Sequence, residues 1–223
     1  MPELPEVEIA RQQLTQWTVG RSIHSIGVTD TSRVKGKPAS LLEGRCVRWD
    51  RRGKLLLGTT DKDRTILAHL GMTGKWVADP GTERPHQRFA LHFADGTSPH
   101  CVVFIDTRRF GFVDVVPTDS VEDHPRVRAL GPDALDPIWT SARLEQTLGS
   151  SRSPLKQKLM DQHVIAGLGN IAVSEIAWRA RVHPHTPSNV LQSTDWEALI
   201  RGIRDHVAVS PSVPSFSVCR PAN

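Results

Sequence analysis

Apolar positions near the start of the chain recur at helical spacing. Leu4, Val7, Ala10, Leu14 and Trp17 share one face and Gly20 closes the pattern, which predicts a helix. The period then changes to short β-type runs. These are Ser22–Val28, Arg45–Asp50, Lys54–Thr60, Thr65–Leu70, Lys75–Ala78, Phe89–Phe93, Cys101–Asp106 and Phe112–Val116. Gly, Pro and Asp separate them, and Asp95-Gly96 is a hairpin signal. Many short strands at near-regular spacing predict a sandwich or barrel. Beyond Val116 a Pro- and Asp-rich connection runs to Pro137, and the patterns turn helical. Helices are expected over Ser141–Leu148, Pro154–Asp161, Asn170–Arg181 and Thr194–Val207, the last capped by Thr194 or Asp195. Ser210–Asn223 is Ser/Pro-rich without periodicity and reads as a disordered tail. No internal repeat is visible.

The expected fold class is therefore α+β with two domains. An N-terminal helix plus β-domain occupies 1–116, a connection 117–140, a helical domain 141–209 and the tail 210–223. A groove between two such domains is a natural ligand site.

Composition narrows the function classes. With 223 residues, 38% hydrophobic and 23% charged, the chain can bury a core and is not wholesale disordered. No apolar run approaches the ~20 residues of a membrane span. The acidic start Met1-Pro2-Glu3-Leu4-Pro5-Glu6 lacks the features of a secretory signal, so the expected compartment is the cytoplasm, beside the nucleoid. The three cysteines, Cys46, Cys101 and Cys219, form no C-x-x-C pair. Neither a four-cysteine zinc site nor a disulfide framework is expected, and no metal or other cofactor. Lys and Arg number 28 against 24 acids, a net charge of +4 that suits a polyanionic partner without proving one.

Five blocks carry candidate chemistry. The first is Pro2-Glu3 with Glu6 one turn on. An initiator Met before Pro is generally removed, which exposes a secondary amine. An α-amine titrates near ~7.7–8.0, so it attacks an electrophilic carbon far more readily than a Lys does at neutral pH. A neighbouring carboxyl can serve as general acid. The same residues also read as a Pro that starts a helix and acids that favour its dipole. The second block, Arg51-Arg52-Gly53-Lys54, opens an apolar strand; it fits a phosphate contact or an exposed turn. In the third, His69-Leu70-Gly71-Met72-Thr73-Gly74, Met72 at a loop tip is a flexible apolar wedge or a core residue. The fourth, Asp106-Thr107-Arg108-Arg109-Phe110-Gly111, sets two Arg beside an aromatic, as in side chains that fill a duplex gap, or as in a charged hairpin. The fifth runs from Leu155 to Asn170: helix, apolar turn, Gly167-Leu168-Gly169, helix. Helix N-terminal N–H groups facing outward near Asn170, with Arg152 and Lys156 close by, would suit a phosphate.

In this order the blocks resemble the formamidopyrimidine-DNA glycosylase family, bacterial base-excision repair enzymes for oxidised purines. Pro2–Glu8, Arg52–Lys54, His69–Gly74, Arg108–Gly111 and Lys156–Glu175 carry the match, which spans roughly residues 1–208. The related endonuclease VIII branch usually has Gly where Leu4 stands, so the purine branch fits better. The resemblance implies an N-terminal helix plus β-sandwich joined to a helix-two-turns-helix domain, acting on double-stranded damaged DNA; a monomer is expected. It implies that Pro2 attacks the sugar C1′ to form a Schiff base and that Glu3 is the acid that opens the sugar ring. Glu6 would organise the site, and Lys54 would assist β-elimination and hold a phosphate. Met72, Arg108 and Phe110 would fill the void left by an extruded base. Arg109, Arg152, Lys156 and Asn170 would contact the DNA backbone. The expected activity is removal of 8-oxoguanine and formamidopyrimidines with cleavage at the resulting abasic site.

Departures from the family qualify this. Its four-cysteine zinc ribbon has no counterpart here, where Cys219 stands alone in an unmatched tail, so a truncated reading of the family is expected. Without such a ribbon the protein neutralises fewer phosphates, and each one fewer flattens the salt dependence of binding by about 0.9 in log–log slope. Arg88 stands at a position where the family commonly has a DNA-contacting His, and keeps the charge. Ala172 replaces a common aromatic and would loosen the lesion pocket. Two further readings follow: an abasic-site lyase only, or a non-catalytic DNA-binding remnant.

Overall fold

The computed structural model describes residues 2–79 and 84–208; the expected tail from Ser210 lies outside them. Helix α1 (Leu4–Thr18) leads into nine strands. These are β1 (Ile23–Val28), β2 (Val34–Gly36), β3 (Cys46–Arg52), β4 (Leu55–Thr60), β5 (Arg64–His69), β6 (Lys75–Asp79), β7 (Gln87–Phe93), β8 (Cys101–Ile105) and β9 (Phe112–Pro117). They form a four-stranded sheet, β1-β7-β8-β6, and a five-stranded sheet, β2-β9-β5-β4-β3. A shared core lies between the two sheets and α1. Leu14 of α1, Leu56 and Ile66 of one sheet and Leu91 and Phe104 of the other are all buried in it. Trp76 sits at its centre, 5.9 Å from Trp49 and 5.3 Å from Phe104 between ring centroids. The indole N–H of buried Trp49 donates to Thr18 Oγ1 at 2.8 Å, which fixes the end of α1 on the sheet.

Several boundaries differ from the sequence expectation. Strand β3 continues through Arg51 and Arg52, which pair with Leu56 and Leu55. Their charge hid a strand, because burial on a folded partner and not apolarity holds these side chains. Strand β2, only three residues long, pairs in parallel with β9 and has no alternation to reveal it. The expected connection is also not loose. Its helix α2 (Pro125–Arg128) and preceding turn bury Val121 and Val127 against Leu55, Leu67 and Phe112, on the outer face of the five-stranded sheet. That second buried face explains why β4 and β5 read as near-continuous apolar runs.

The helical part contains α3 (Ser141–Leu148), α4 (Leu155–Leu159), α5 (Asn170–Ala180) and α6 (Ser193–Ala208). Its core gathers Trp139, Leu144, Leu155, Leu168, Ile176 and Trp196. Leu4, from the first turn of α1, is fully buried in this second core, so α1 spans both halves. Helix α6 begins earlier than expected. Asp195 is not its N-cap but sits inside the first turn, where Oδ2 accepts the Gln192 N–H at 2.8 Å. Thr194 likewise lies within the helix. No helix among the described residues is long and apolar enough to cross a membrane.

Candidate DNA-repair active site

Glu3 is the link between the two halves. It is 3% exposed, and its carboxylate reaches the start of α5. The Ile171 N–H donates to Oε1 and the Ala172 N–H to Oε2, both at 2.8 Å. A buried carboxylate must find such donors, and a helix N-terminus offers both N–H groups and a favourable dipole. The approach is close enough that a Cβ at Gly169 would collide with the Glu3 carboxylate and displace it from the start of α5. This corrects the expectation of outward-facing N–H groups near Asn170: two of them are taken by the protein's own Glu3. Glu6, exposed, accepts the Glu3 backbone N–H at 3.0 Å and so fixes the chain just after Pro2. Pro2 itself is half-buried beside them.

Lys54 meets the segment that leads into α5. Its ammonium donates to the Leu168 carbonyl at 2.9 Å. Gln162 donates to that carbonyl as well, at 2.7 Å, while its Oε1 accepts the Gly167 N–H at 2.9 Å. The segment 167–172 thus meets Lys54 at one end and Glu3 at the other. Burial pushes the Lys54 amine below its ordinary value, and the Glu3 charge partly opposes this. His69, across the β4–β5 pair from Leu55, is pushed down to about 4 by burial first and then by the charges of Lys54 and Arg126. It is a neutral imidazole at neutral pH, and its Nδ1 accepts the Gly71 N–H at 3.0 Å. A cleft of about 230 Å³ opens beside this junction, lined by Glu3, Pro5, Glu6, Ile171, Glu175 and Arg179.

The two candidate wedge loops are joined. Asp106, 1% exposed, accepts the Thr73 hydroxyl at 2.6 Å and the Gly111 N–H at 2.7 Å. Thr73 Oγ1 in turn accepts the Arg108 N–H at 3.1 Å. Gly71, at φ +61°, packs so closely on Phe110 and Gly111 that a Cβ there would strike their backbone. Met72 (40% exposed) and Phe110 (51% exposed) therefore project from one connected platform, with the Arg108 guanidinium 4.9 Å above the Phe110 ring.

The remaining cationic candidates divide. Asp30 holds Arg109 at 2.9 Å and lies 3.8 Å from Arg88, whose Nε donates to the Asp106 carbonyl at 3.0 Å. The Ser32 hydroxyl, and then Arg109, hold the Asp30 carboxyl below its usual range. These two Arg belong to the wedge-loop side. Lys156 donates to Ser174 Oγ at 3.0 Å, and Ser174 to the Asn170 carbonyl at 2.8 Å, so Lys156 and Asn170 share one surface of the helical part. Arg152 is exposed near the start of α4. Ala172 is fully buried in the helical core and does not line the cleft, which differs from the expectation of a loosened pocket.

Three positioning residues were not evident from sequence. Besides Asp106 and Gln162 there is Asp133. It accepts from Arg51 Nη1 at 2.6 Å and from the Gly53 N–H at 2.7 Å, tying the turn before Lys54 to the connection. Each acts across a fold contact, and an Asp-rich connection gave no local sign of it.

Among the described residues no group of three or more His, Cys, Asp or Glu could hold a metal ion, and Cys46 and Cys101 are both buried. The described residues therefore do not fit the zinc site of the resemblance, and no chemistry here is routed through one.

Known proteins share the sequence and the fold of this chain. Residues 1–113 match the model of the formamidopyrimidine-DNA glycosylase N-terminal domain, and residues 130–211 that of its H2TH domain. The formamidopyrimidine-DNA glycosylase of Erythrobacter litoralis is 36% identical over 210 residues, covering 92% of this chain and 76% of the relative. That of Streptococcus pneumoniae is 34% identical over 209 residues, covering 89% and 73%. Among solved structures, the Lactococcus lactis enzyme, non-covalently bound to DNA containing an AP site, superposes with a TM-score of 0.84 at 29% identity, covering 94% of this chain and 83% of that one. The Thermus thermophilus protein gives 0.83 at 33% identity, covering 96% and 79%. With both domain models matched in order and relatives above 30% identity over most of its length, the chain belongs to the formamidopyrimidine-DNA glycosylase family.

Proposed function

We propose that this member acts, as a monomer, on oxidised purines in double-stranded DNA and cleaves the strand at the abasic site, using Pro2 as nucleophile. The observation that carries the reading is the junction itself. Glu3, covalently next to Pro2, is bound to α5, while Lys54 is bound to Leu168 three residues before Ile171. The carboxyl next to the amine and the ammonium thereby both meet the segment 168–172, where the β-domain joins the helical one.

The steps are these. Extruding a damaged base costs a few kcal/mol, which the Met72, Arg108 and Phe110 platform offsets by filling the gap. With Met1 removed, the Pro2 nitrogen attacks C1′ as the bond from C1′ to the base breaks, and the proton shed by the amine goes to the departing base. Glu3 supplies the proton that opens the sugar ring, and the Pro2 lone pair closes an iminium. The iminium acidifies the C2′ proton. Water takes that proton, and the C–H electron pair expels the 3′ phosphate oxygen as leaving group, with Lys54 near that phosphate. Arg88, Arg109, Arg152, Lys156 and Asn170 hold the backbone without reading sequence. The amine and carboxyl suffice for this chemistry, so the proposal assigns no cofactor, and its compartment is the cytoplasm.

Borohydride trapping on two duplexes tests it, one with 8-oxoguanine opposite cytosine and one with an abasic site. Covalent capture on both, abolished in Pro2→Gly, is expected, with an intact mass lacking Met1. Capture on the abasic duplex alone would reduce the activity to a lyase. A gel shift without capture on either would leave only DNA binding.

A further inference from the structure

Three strand ends lie in register at the edge of the five-stranded sheet next to Lys54. Leu55 at the start of β4 pairs with His69 at the end of β5, and His69 pairs with Phe112 at the start of β9. The two wedge loops attach at the second and third of these ends. Helix α2 crosses the same edge, anchored by buried Val127 against Leu55 and Phe112. His124 fixes how α2 starts. Its Nδ1 accepts the Arg126 N–H at 3.3 Å, and its Nε2 meets Asp114 Oδ2 at 3.2 Å. The helix is thereby turned so that the Arg126 guanidinium carbon sits 4.0 Å from the Phe112 ring centroid. The Phe112 ring in turn lies parallel to the His69 imidazole, 5.9 Å away.

Arg126 is exposed, and among the described residues no carboxylate pairs with it. Two acids of this region are engaged elsewhere: Glu122 takes Arg52 at 2.6 Å and Asp114 takes His124. Since His69 stays neutral at neutral pH, the positive charge at this edge comes from Lys54 and Arg126. A guanidinium laid on an aromatic face has its plane oriented while its N–H edges stay outward, the arrangement that suits bidentate contact with a phosphate.

We propose that Arg126, staged on Phe112, is a further DNA-backbone contact that takes the phosphate beside the one near Lys54. The proposal rests on the reading that the chain binds damaged duplex. The test is fluorescence anisotropy of a duplex carrying a tetrahydrofuran abasic analogue, titrated through a salt series with wild type, Arg126→Gln and Arg126→Lys. Arg126→Gln is expected to bind about five- to tenfold more weakly near 0.1 M salt, with a log–log slope shallower by about 0.9. Arg126→Lys should recover the slope but not all the affinity, because an ammonium lacks the planar fork. An Arg126→Gln slope equal to that of wild type, with or without a drop in affinity, overturns the contact, since a packing role would not release counterions. Wild type that fails to bind the duplex at all would overturn the DNA reading and this proposal with it; wild type that binds normally beside an unchanged Arg126→Gln slope sinks Arg126 alone.

Discussion

His69 and Asp106 show how single residues at this site are tuned by their surroundings. Folded His69 stays neutral down to about pH 4, whereas in the unfolded chain it takes a proton near its ordinary 6.5. Between these values the unfolded state binds more protons. Stability from this group is therefore complete above about pH 6.5 and declines as pH falls toward 4, by on the order of 3 kcal/mol at most. Urea unfolding at pH 7 and pH 5 should show a smaller pH effect in His69→Asn than in wild type; equal effects would remove His69 as the cause. At Asp106, replacement by Ala leaves the buried Gly111 N–H without its acceptor and releases Thr73. A drop of about 1–3 kcal/mol in chemical denaturation is expected, together with weaker binding of lesion duplex because Met72 and Phe110 no longer share a platform. Unaltered lesion binding at unaltered stability would show that the loops do not need this tie. The motif residues Pro2, Glu3, Lys54, Met72 and Phe110 were legible in the sequence, since each sits in a short block with its own chemistry. Asp106 and His69 stand in those blocks too, but their roles depend on partners that only the fold supplies.

At the scale of elements, periodicity finds most helices and strands and fails where burial comes from partners outside the segment. Strand β3 runs on into Arg51-Arg52 because Asp133 and Glu122 receive the guanidinium groups. The sequence leaves the start of α6 ambiguous because Thr194 and Asp195 are both acceptable caps; in the fold both lie inside the helix, and Asp195 reaches back from the first turn to the Gln192 N–H. The connection after β9 carries no periodic signal, yet α2 covers a sheet face with Val121 and Val127. Helix α5 is the reverse case: its position is evident, but its N-terminus serves Glu3 rather than an outside anion.

Over the whole molecule, the two halves are held at a fixed junction by Leu4, Glu3 and the Arg51–Asp133 pair. Arg51 and Asp133 are largely buried, at 8% and 20% side-chain exposure. Removing Asp133 leaves Arg51 with Glu8 at 3.5 Å as its remaining carboxylate and strips the Gly53 N–H of its acceptor, so Asp133→Ala should cost about 1–3 kcal/mol. Arg51→Met combined with Asp133→Leu should recover much of that stability, and a double-mutant cycle by denaturation measures the coupling. Purely additive effects would show that the pair does not act as a unit. Because Gly53 N–H also binds Asp133, the same single variant should lower strand cleavage at an abasic duplex by displacing Lys54. The double variant should not restore cleavage, since a leucine side chain at that position offers the Gly53 N–H no acceptor.

What the sequence determined by itself was local: the periods of α1 and most strands, the change to helices after Val116, and the five blocks with their reactive side chains. These depend on neighbours within a few residues, where chain connectivity sets the geometry. Tertiary structure decided which of these groups meet. Glu3 and Ile171 lie 168 residues apart in sequence, Lys54 and Leu168 114, and Arg51 and Asp133 82. No local pattern encodes such pairings. A buried carboxylate or ammonium must still be satisfied by some donor or acceptor, and which one it finds is settled only when both cores pack and bring α1, the β3–β4 turn and the start of α5 to one place.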